Sequence, residues 1–256
     1  MTIRLSQGAR NGLAQGMGFG GMFNRGVIQI WSGTQPASAD AAATGTLLAT
    51  VSTSSGAVAQ EVRATGTVTL NTGASGSVNT VTVGGFNIIP DGAVNFNTSL
   101  TQTAADLAEA INRNGIFQAS SAGAVVTITP RPGAGTTYNA AVVTATLTTI
   151  TAAYANMSGG VAAVNGLIFG EPVAGLIGKG TGQVWSFNGA VAGTAGWYRL
   201  VQSASDGGGL LSAAPWLPRM DGSVGTSGAD LNLSNIVIAV GAPTTIDTWI
   251  FQVPAS

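Results

Sequence analysis

The side chains that most often do chemistry in proteins are scarce in this sequence. It contains no histidine and no cysteine among 256 residues, so neither a Ser-His-Asp triad nor a Cys-His pair can form. Zinc fingers, iron–sulfur clusters and histidine-ligated haem are excluded for the same reason. Ten carboxylates are the main acid–base groups that remain. We therefore expect no catalytic residue, no cofactor and no metal site.

The carboxylates could still act in pairs, as they do in glycoside hydrolases. Asp221 and Asp230 are the two whose replacement would test that hypothesis. Four of the ten acids, however, stand beside glycine, where turns place them, namely Asp91, Glu171, Asp206 and Asp221. The segment from Arg219 to Asp230 also carries oxygens suited to a hard cation, but its spacing is not that of an EF-hand. A glycine-rich loop with Arg219 paired to a carboxylate explains these residues better.

The segment 175–180 looks like a phosphate-binding loop only at first sight. The Walker pattern needs a glycine five residues before the glycine of its Gly-Lys pair, and Ser or Thr after the lysine. Val173 and Gly180 occupy those positions. Lys179 is the only lysine of the chain, and we expect it in a solvated loop.

Charged residues make up only 7% of the chain, against about 25% in ordinary domains. The net charge is −1 and the nine basic residues are scattered singly, which argues against nucleic acid as a partner. No basic head followed by an apolar run and no stretch of about 20 apolar residues is present, so we expect neither a signal peptide nor a membrane segment. So little charge favours a surface covered by other subunits, as in a homo-oligomer. The alternative is a monomer coated in Thr, Ser, Asn and Gly.

The distribution of tryptophan divides the chain. All five tryptophans lie outside residues 62–160, a stretch dominated by Thr, Val, Ala, Gly and Asn. We interpret residues 1–61 and 161–256 as a discontinuous β body with an N-terminal arm over 1–26, and residues 62–160 as an inserted module. The alternative is one continuous β domain.

The body has the alternation of apolar and polar residues that is typical of half-buried strands. Gly, Asn, Asp and Pro separate these segments, as expected of turns. The pattern predicts a mainly β fold whose body is an antiparallel β-sandwich or barrel. The predicted strands cover 27–31, 46–51, 183–187, 196–201, 236–240 and 248–253.

The inserted module has one clear helix over 104–112. Thr103 and Asp106 form a capping-box-like pair at its start, and Gly115 follows its end. Strands with threonine on one face are predicted over 65–70, 78–83, 124–129 and 145–150. These elements indicate a small α+β module with one helix on a sheet.

Aromatic and basic side chains supply the candidate interface. Trp185, Trp197 and Trp249 fall within strand patterns and are expected in the core. Trp31 and Trp216 stand at strand or loop ends, where they could face a partner. The arm adds three basic candidates, which are Arg4, Arg10 and Arg25.

Three long segments of the body, 26–42, 193–200 and 219–235, resemble a family of tailed-bacteriophage virion proteins. The resemblance covers about residues 1–60 and 165–256. The insert, with its Thr-Ala-Ala-Asp-Leu-Ala-Glu-Ala-Ile-Asn helix between Thr/Val strands, resembles a separate module of phage structural proteins. The family has no assigned catalysis and no known functional residues, so none is transferred to this chain.

The resemblance implies a non-enzymatic structural component of a tailed phage virion, assembled in the host cytoplasm. We favour a capsid decoration or cement protein that stabilises the particle through contacts with capsid or other virion proteins. The alternatives are a tail or tail-fibre component and a receptor- or glycan-binding module. In the favoured decoration role the insert would project outward, where it could contact the host surface.

Overall fold

The computed structural model describes residues 3–211 and 217–252. The chain is mainly β, with 43% of its residues in strands and 11% in helices, which confirms the predicted fold class. It divides into two compact units: residues 1–61 with 163–256, called unit 1, and residues 62–162, called unit 2. The observed boundaries lie within two residues of those expected from the tryptophan distribution.

The described residues contain three helices and nineteen strands, numbered here in chain order. The helices are α1 (Gln7–Ala14), α2 (Phe19–Phe23) and α3 (Leu100–Asn112). The strands of unit 1 are β1 (Arg4–Leu5), β2 (Val27–Ser32), β3 (Leu47–Thr53), β12 (Leu176–Gly178), β13 (Trp185–Asn188), β14 (Gly193–Val201), β15 (Arg219–Gly225), β16 (Leu231–Asn232), β17 (Val237–Ile238), β18 (Pro243–Ile246) and β19 (Ile250–Gln252). The strands of unit 2 are β4 (Thr65–Thr72), β5 (Ser77–Val83), β6 (Phe86–Asn87), β7 (Val94–Asn95), β8 (Phe117–Ala122), β9 (Val125–Pro130), β10 (Val143–Thr148) and β11 (Thr151–Ser158).

Unit 1 is built on a nine-stranded sheet with the order β1-β15-β14-β2-β3-β13-β18, to which β16 and β17 add through β15 and β14. Strands β12 and β19 form a separate antiparallel pair. One edge strand, β1, is only two residues long, and the other, β18, begins with Pro243. Short edge strands and edge prolines limit unwanted pairing with other chains.

The apolar core of unit 1 lies on one face of this sheet. Alternation along β14 directs Tyr198 and Leu200 to that face, where they join a single buried cluster. The helix α2 and the β12–β19 pair lie against this face of the sheet. Aromatic rings in this core pack edge to face. Phe19 lies 5.2 Å from Phe169, and Phe169 lies 5.1 Å from Trp185, ring centre to ring centre. Edge-on arrangements such as these stabilise beyond the apolar area that they bury.

The described part of the N-terminal segment, predicted as an arm, is folded onto unit 1. Ser6 caps α1 by accepting a hydrogen bond from the Ala9 amide at 3.2 Å. Phe19 and Phe23 of α2 are buried in the core. Burial of Phe19, Met22 and Phe23 in the core explains why this segment packs onto unit 1 instead of forming a free arm.

Position 222 of β15 requires glycine because the ring of Tyr198 packs directly against its backbone. A Cβ atom at this position would come within 2.5 Å of the Tyr198 ring on the neighbouring strand. Tyr198 is itself fully buried. A glycine inside a strand often marks such a close approach.

Unit 2 contains two four-stranded sheets and α3. One sheet has the order β11-β4-β9-β8, and the other has β10-β5-β6 with β7 also paired to β5. Apolar residues of both sheets and of α3 form one core, separate from that of unit 1. The helix begins earlier than predicted, because Ser99 rather than Thr103 is the N-cap and accepts from the Gln102 amide at 3.1 Å. Hydrogen bonds from Asn97 and Gln102 hold the pKa of Asp106 below its usual value.

Side chains cover part of the sheet edges in unit 2. Asn112, the last residue of α3, bonds the edge strand β8 by accepting from the Ala119 amide at 2.8 Å and donating to the Ala119 carbonyl at 2.9 Å. Asn156 accepts from the Val143 amide of β10 at 3.1 Å, and the Tyr154 hydroxyl donates to the Ala145 carbonyl at 3.3 Å. These contacts pair backbone groups that an edge strand would otherwise leave open.

Replacing Asn112 with alanine is expected to destabilise unit 2 by about 1–3 kcal/mol. The reason is that the buried amide and carbonyl of Ala119 lose their partners. Urea unfolding followed by far-UV circular dichroism measures the change. Asn79→Ala is the matched control, since the half-buried Asn79 bonds the hydroxyls of Ser77 and Thr148 and no backbone group in these contacts, and it should cost at most about 1 kcal/mol. Equal effects of the two variants would contradict this role of Asn112.

Candidate functional site

The second face of the nine-stranded sheet carries a buried charged layer, which consists of Arg199, Arg219, Asp206 and Asp221. Arg199 follows Tyr198 in β14 and Asp221 follows Met220 in β15, so alternation turns both away from the apolar core. The side chains of the four residues are at most 1% exposed. Charged groups are seldom buried to this extent unless they are paired.

Arg199 and Asp221 stand directly opposite each other on adjacent strands. Nε of Arg199 donates to Oδ1 of Asp221 and Nη2 to Oδ2, each at 2.7 Å. Burial raises the pKa of the Asp221 carboxyl above its usual value, since removal from water disfavours the charge, while the hydrogen bond and charge of Arg199 oppose that rise. The guanidinium carbon also lies 5.3 Å from the centre of the Trp197 ring. This two-point pairing adds a charged side-chain contact to the backbone pairing of β14 with β15.

Arg219 forms the second pair. Its Nε donates to Asp206 Oδ2 at 2.6 Å, its Nη2 donates to Oδ1 of the same carboxylate, and its Nη1 donates to the Gly209 carbonyl at 2.8 Å. The predicted pairing of Arg219 with a carboxylate is therefore confirmed. The Arg219 amide donates to Ser6 Oγ at 2.8 Å. One arginine thus ties the N-terminal segment and the loop after β14 to β15.

The segment 219–230, predicted as a loop, contains a buried strand. All residues of β15 except Gly225 are buried. Asp230 then accepts hydrogen bonds from the amide and the hydroxyl of Ser223, each at 2.8 Å. Its carboxylate therefore stabilises the strand end through turn contacts, as expected of an acid in a glycine-rich turn.

The positions of Asp221 and Asp230 are not those of the two catalytic carboxylates of a glycoside hydrolase. A glycoside hydrolase needs two carboxylates that reach the substrate from opposite sides. Asp221 is fully buried against Arg199, and one oxygen of Asp230 is held by Ser223. The chemistry of this layer is therefore ion pairing that fixes backbone segments.

The candidate interface residues are not brought together as one group. Arg4 is half-buried and donates to the Pro36 carbonyl, whereas Arg10 and Arg25 are exposed. Trp31 is half-buried and stacks on Trp197, with 5.7 Å between ring centres and 14° between ring planes. One face of its ring is therefore already occupied, and a ligand would have to use the other. Trp216 lies outside the described residues.

Within residues 3–211 and 217–252, no three His, Cys, Asp or Glu side chains are grouped in a way that could hold a metal ion. In the same residues no helix is long and apolar enough to cross a membrane. Lys179 donates to the Ile246 carbonyl at 2.6 Å and to the Asp247 carbonyl at 3.3 Å, rather than extending into solvent as predicted.

Sequence reasoning missed Arg199 and Asp206. Arg199 stands in a predicted strand next to Trp197, and an isolated arginine within an apolar strand is the signal that could have found it. Asp206 gave no such signal, because it precedes a run of three glycines that is typical of any turn.

No known family model matches the chain, and a search of curated proteins finds no match.

Proposed function

We propose that this protein is a non-enzymatic structural subunit of a tailed-phage virion, present in many copies, with capsid decoration or cementing as its role. The observation that carries the proposal is the distribution of charge. Six of the nineteen charged residues are buried, namely Glu61, Arg131, Arg199, Asp206, Arg219 and Asp221, which leaves thirteen at intermediate or exposed positions.

Exposed apolar side chains outnumber those thirteen charges in the described part of the chain. Sixteen large hydrophobic residues are exposed, among them Val173, Val237 and Val240 at 60–71%. A free domain ordinarily keeps about 25–35% charged residues on its surface and few exposed apolar ones. Surfaces of the opposite kind are typical of contacts with other subunits.

The buried ion pairs support a structural rather than a chemical role. They hold the N-terminal segment and the loop after β14 against β15, which limits the conformational freedom of those parts of unit 1. Rigid subunits lose little conformational freedom on association. Repetition of modest contacts around a shell then supplies stability that no single contact provides.

Cryo-electron microscopy of the intact virion whose genome encodes this chain tests the proposal. We expect density for unit 1 to repeat on the capsid lattice. Copies confined to the tail would contradict the decoration role, and absence from purified particles would contradict the virion role altogether.

The purified chain is also expected to associate with itself. Sedimentation velocity over a wide concentration range should show species heavier than 25.3 kDa, because a surface with few charges gives little electrostatic repulsion between copies. Added salt should not dissociate these oligomers, since we expect few of their contacts to be ionic. A monomer that persists to high concentration would count against the surface argument.

A further inference from the structure

Four Asn-Gly pairs occur in the chain, at residues 11–12, 114–115, 165–166 and 188–189. In such a pair the backbone nitrogen of the glycine can attack the side-chain carbonyl carbon of the asparagine, because glycine has no Cβ atom to hinder the approach. The attack is favoured when that nitrogen is free of hydrogen bonds, the carbonyl is polarised and the side-chain amino group can leave. The structure meets these conditions to different extents at the four pairs.

Three of the pairs are held in ways that oppose this reaction. The pair at 11–12 lies within α1, where the helix engages the glycine amide in its backbone hydrogen bonds. At 165–166 the leaving group is held, since Nδ2 of Asn165 donates to the Ala57 carbonyl at 2.8 Å. At 188–189 the attacking group is held, since the Gly189 amide donates to the Ala242 carbonyl at 3.2 Å. We therefore expect a slow reaction at each of these pairs.

The pair at 114–115, in the turn between α3 and β8, has a polarised side-chain carbonyl. Oδ1 of Asn114 accepts hydrogen bonds from the amides of Ile116 at 2.7 Å and Phe117 at 3.2 Å. An attack on the side-chain carbonyl carbon places negative charge on this oxygen, and two fixed amide donors stabilise that charge. Within residues 3–211 and 217–252, no group accepts a hydrogen bond from the Asn114 side-chain amino group, so this group can leave.

Arg131 activates the attacking nitrogen of the same pair. Nη2 of this buried arginine donates to the backbone carbonyl oxygen of Asn114 at 3.0 Å. That oxygen belongs to the same peptide group as the Gly115 nitrogen, so it shares the negative charge when the nitrogen loses its proton. A guanidinium within hydrogen-bond distance stabilises this anion, and burial limits screening by salt. Gly115 is exposed, and its amide donates to no acceptor in the described part of the chain.

We propose that Asn114 is a site of spontaneous deamidation in the folded protein. The Gly115 nitrogen forms a bond to Cγ of Asn114 as the bond between Cγ and Nδ2 breaks. Nδ2 leaves as ammonia and takes up the proton lost from the Gly115 amide. Water then opens the resulting cyclic imide at either of its carbonyls, which gives aspartate or isoaspartate. Water is the only co-reactant.

Both products add a negative charge to unit 2. Aspartate keeps an oxygen that can accept from the amides of Ile116 and Phe117, so the turn should keep its structure. Isoaspartate lengthens the backbone by a methylene group, which should loosen the turn. The proposal goes beyond the proposed function and does not depend on it, because the reaction needs only this chain and water.

Peptide mapping of the full chain by mass spectrometry tests the proposal. The protein is incubated at mildly alkaline pH and digested at mildly acidic pH, where new deamidation is slow. We expect deamidation at Asn114 to be about tenfold or more faster than at Asn11, Asn165 or Asn188, the factor that charge-assisted hydrogen bonds supply. The same incubation in urea should bring the four rates close together, because unfolding removes the contacts at every pair. The variant Asn114→Asp is the chromatographic standard for the aspartate product.

Gly115→Ala tests the attack itself. Open space surrounds the position of an added Cβ atom, so the variant should fold, and far-UV circular dichroism checks it. The added methyl group hinders the nitrogen, so deamidation at Asn114 should slow severalfold. The rates at the other three pairs should not change, and they serve as internal controls. The comparison in urea decides the proposal even if this variant does not fold.

Deamidation at Asn114 that is no faster than at the other pairs of the folded chain would overturn the proposal. An equal preference for Asn114 in urea would also overturn it, because the reactivity would then come from the local sequence and not from the folded contacts. An unaltered rate at Asn114 in folded Gly115→Ala would show that the Gly115 nitrogen is not the attacking group. None of these results bears on the virion role, which cryo-electron microscopy of the particle tests separately.

Discussion

Replacing Arg199 with methionine should lower the free energy of unfolding of unit 1 by about 3–5 kcal/mol. The variant leaves the Asp221 carboxylate buried, with neither of the two hydrogen bonds that Arg199 now donates to it. Breaking one side of a buried ion pair has a cost of this size because the remaining charge is out of water and uncompensated. Urea unfolding followed by tryptophan fluorescence measures it, since all five tryptophans lie in unit 1.

Two comparisons separate this effect from a general loss of packing. The double variant Arg199→Met, Asp221→Leu should recover most of the lost stability, because apolar residues often replace a buried pair without cost. Arg10→Met is the matched control. It removes an exposed arginine from α1 in the same unit, and it should change stability by less than about 0.5 kcal/mol. An Arg199→Met variant no less stable than this control would contradict the role assigned to the pair.

The defect of Arg199→Met should also shrink in acid. Burial raises the pKa of Asp221 above its ordinary value of 3.8, and removal of Arg199 takes away the main group that opposes the rise. A carboxyl whose folded-state pKa is raised binds its proton more tightly in the folded state, so folding gains stability as the pH falls through that pKa. The same unfolding experiment at decreasing pH, between about 7 and 4, checks the sign.

The second large effect is expected in unit 2, where Leu107→Ala should cost about 2–5 kcal/mol. Leu107 is fully buried in the core that α3 shares with both sheets, and truncation removes apolar contacts and leaves a cavity. Far-UV circular dichroism should show the loss. Tryptophan fluorescence should report an unchanged transition, because unit 2 contains no tryptophan.

Thr101→Ala, on the exposed side of the same helix, is the control and should change stability by less than about 0.5 kcal/mol. A matching shift of the tryptophan transition in Leu107→Ala would mean that the two units unfold as one. The independent cores described above would then not be independent in energy.

The proposed assembly role connects these predictions. A subunit that decorates a shell must keep its surfaces in fixed positions, and the charged layer does this for the loops of unit 1. Stability defects in Arg199→Met should therefore reduce incorporation into particles.

The sequence by itself determined several features of this protein. The absence of His and Cys excluded most catalytic and metal chemistry, and two-residue alternation located strands such as β2 and β5. The threonine-to-asparagine segment of α3 predicted a helix because its apolar residues recur on one face. These are local signals, since each depends only on neighbours along the chain.

Only the tertiary structure shows which residues form the buried charged layer, and only it shows that the N-terminal segment packs onto unit 1. The strand β15 contains Asp and Gly, which disfavour strands, and it becomes one because β1 and β14 pair with it on both sides. Alternation shows which residues of one strand share a face, but not which other strand will pair with that strand. The contacts of Arg199 with Asp221 and of Arg219 with Asp206 depend on which segments become neighbours, and long-range packing determines those neighbours.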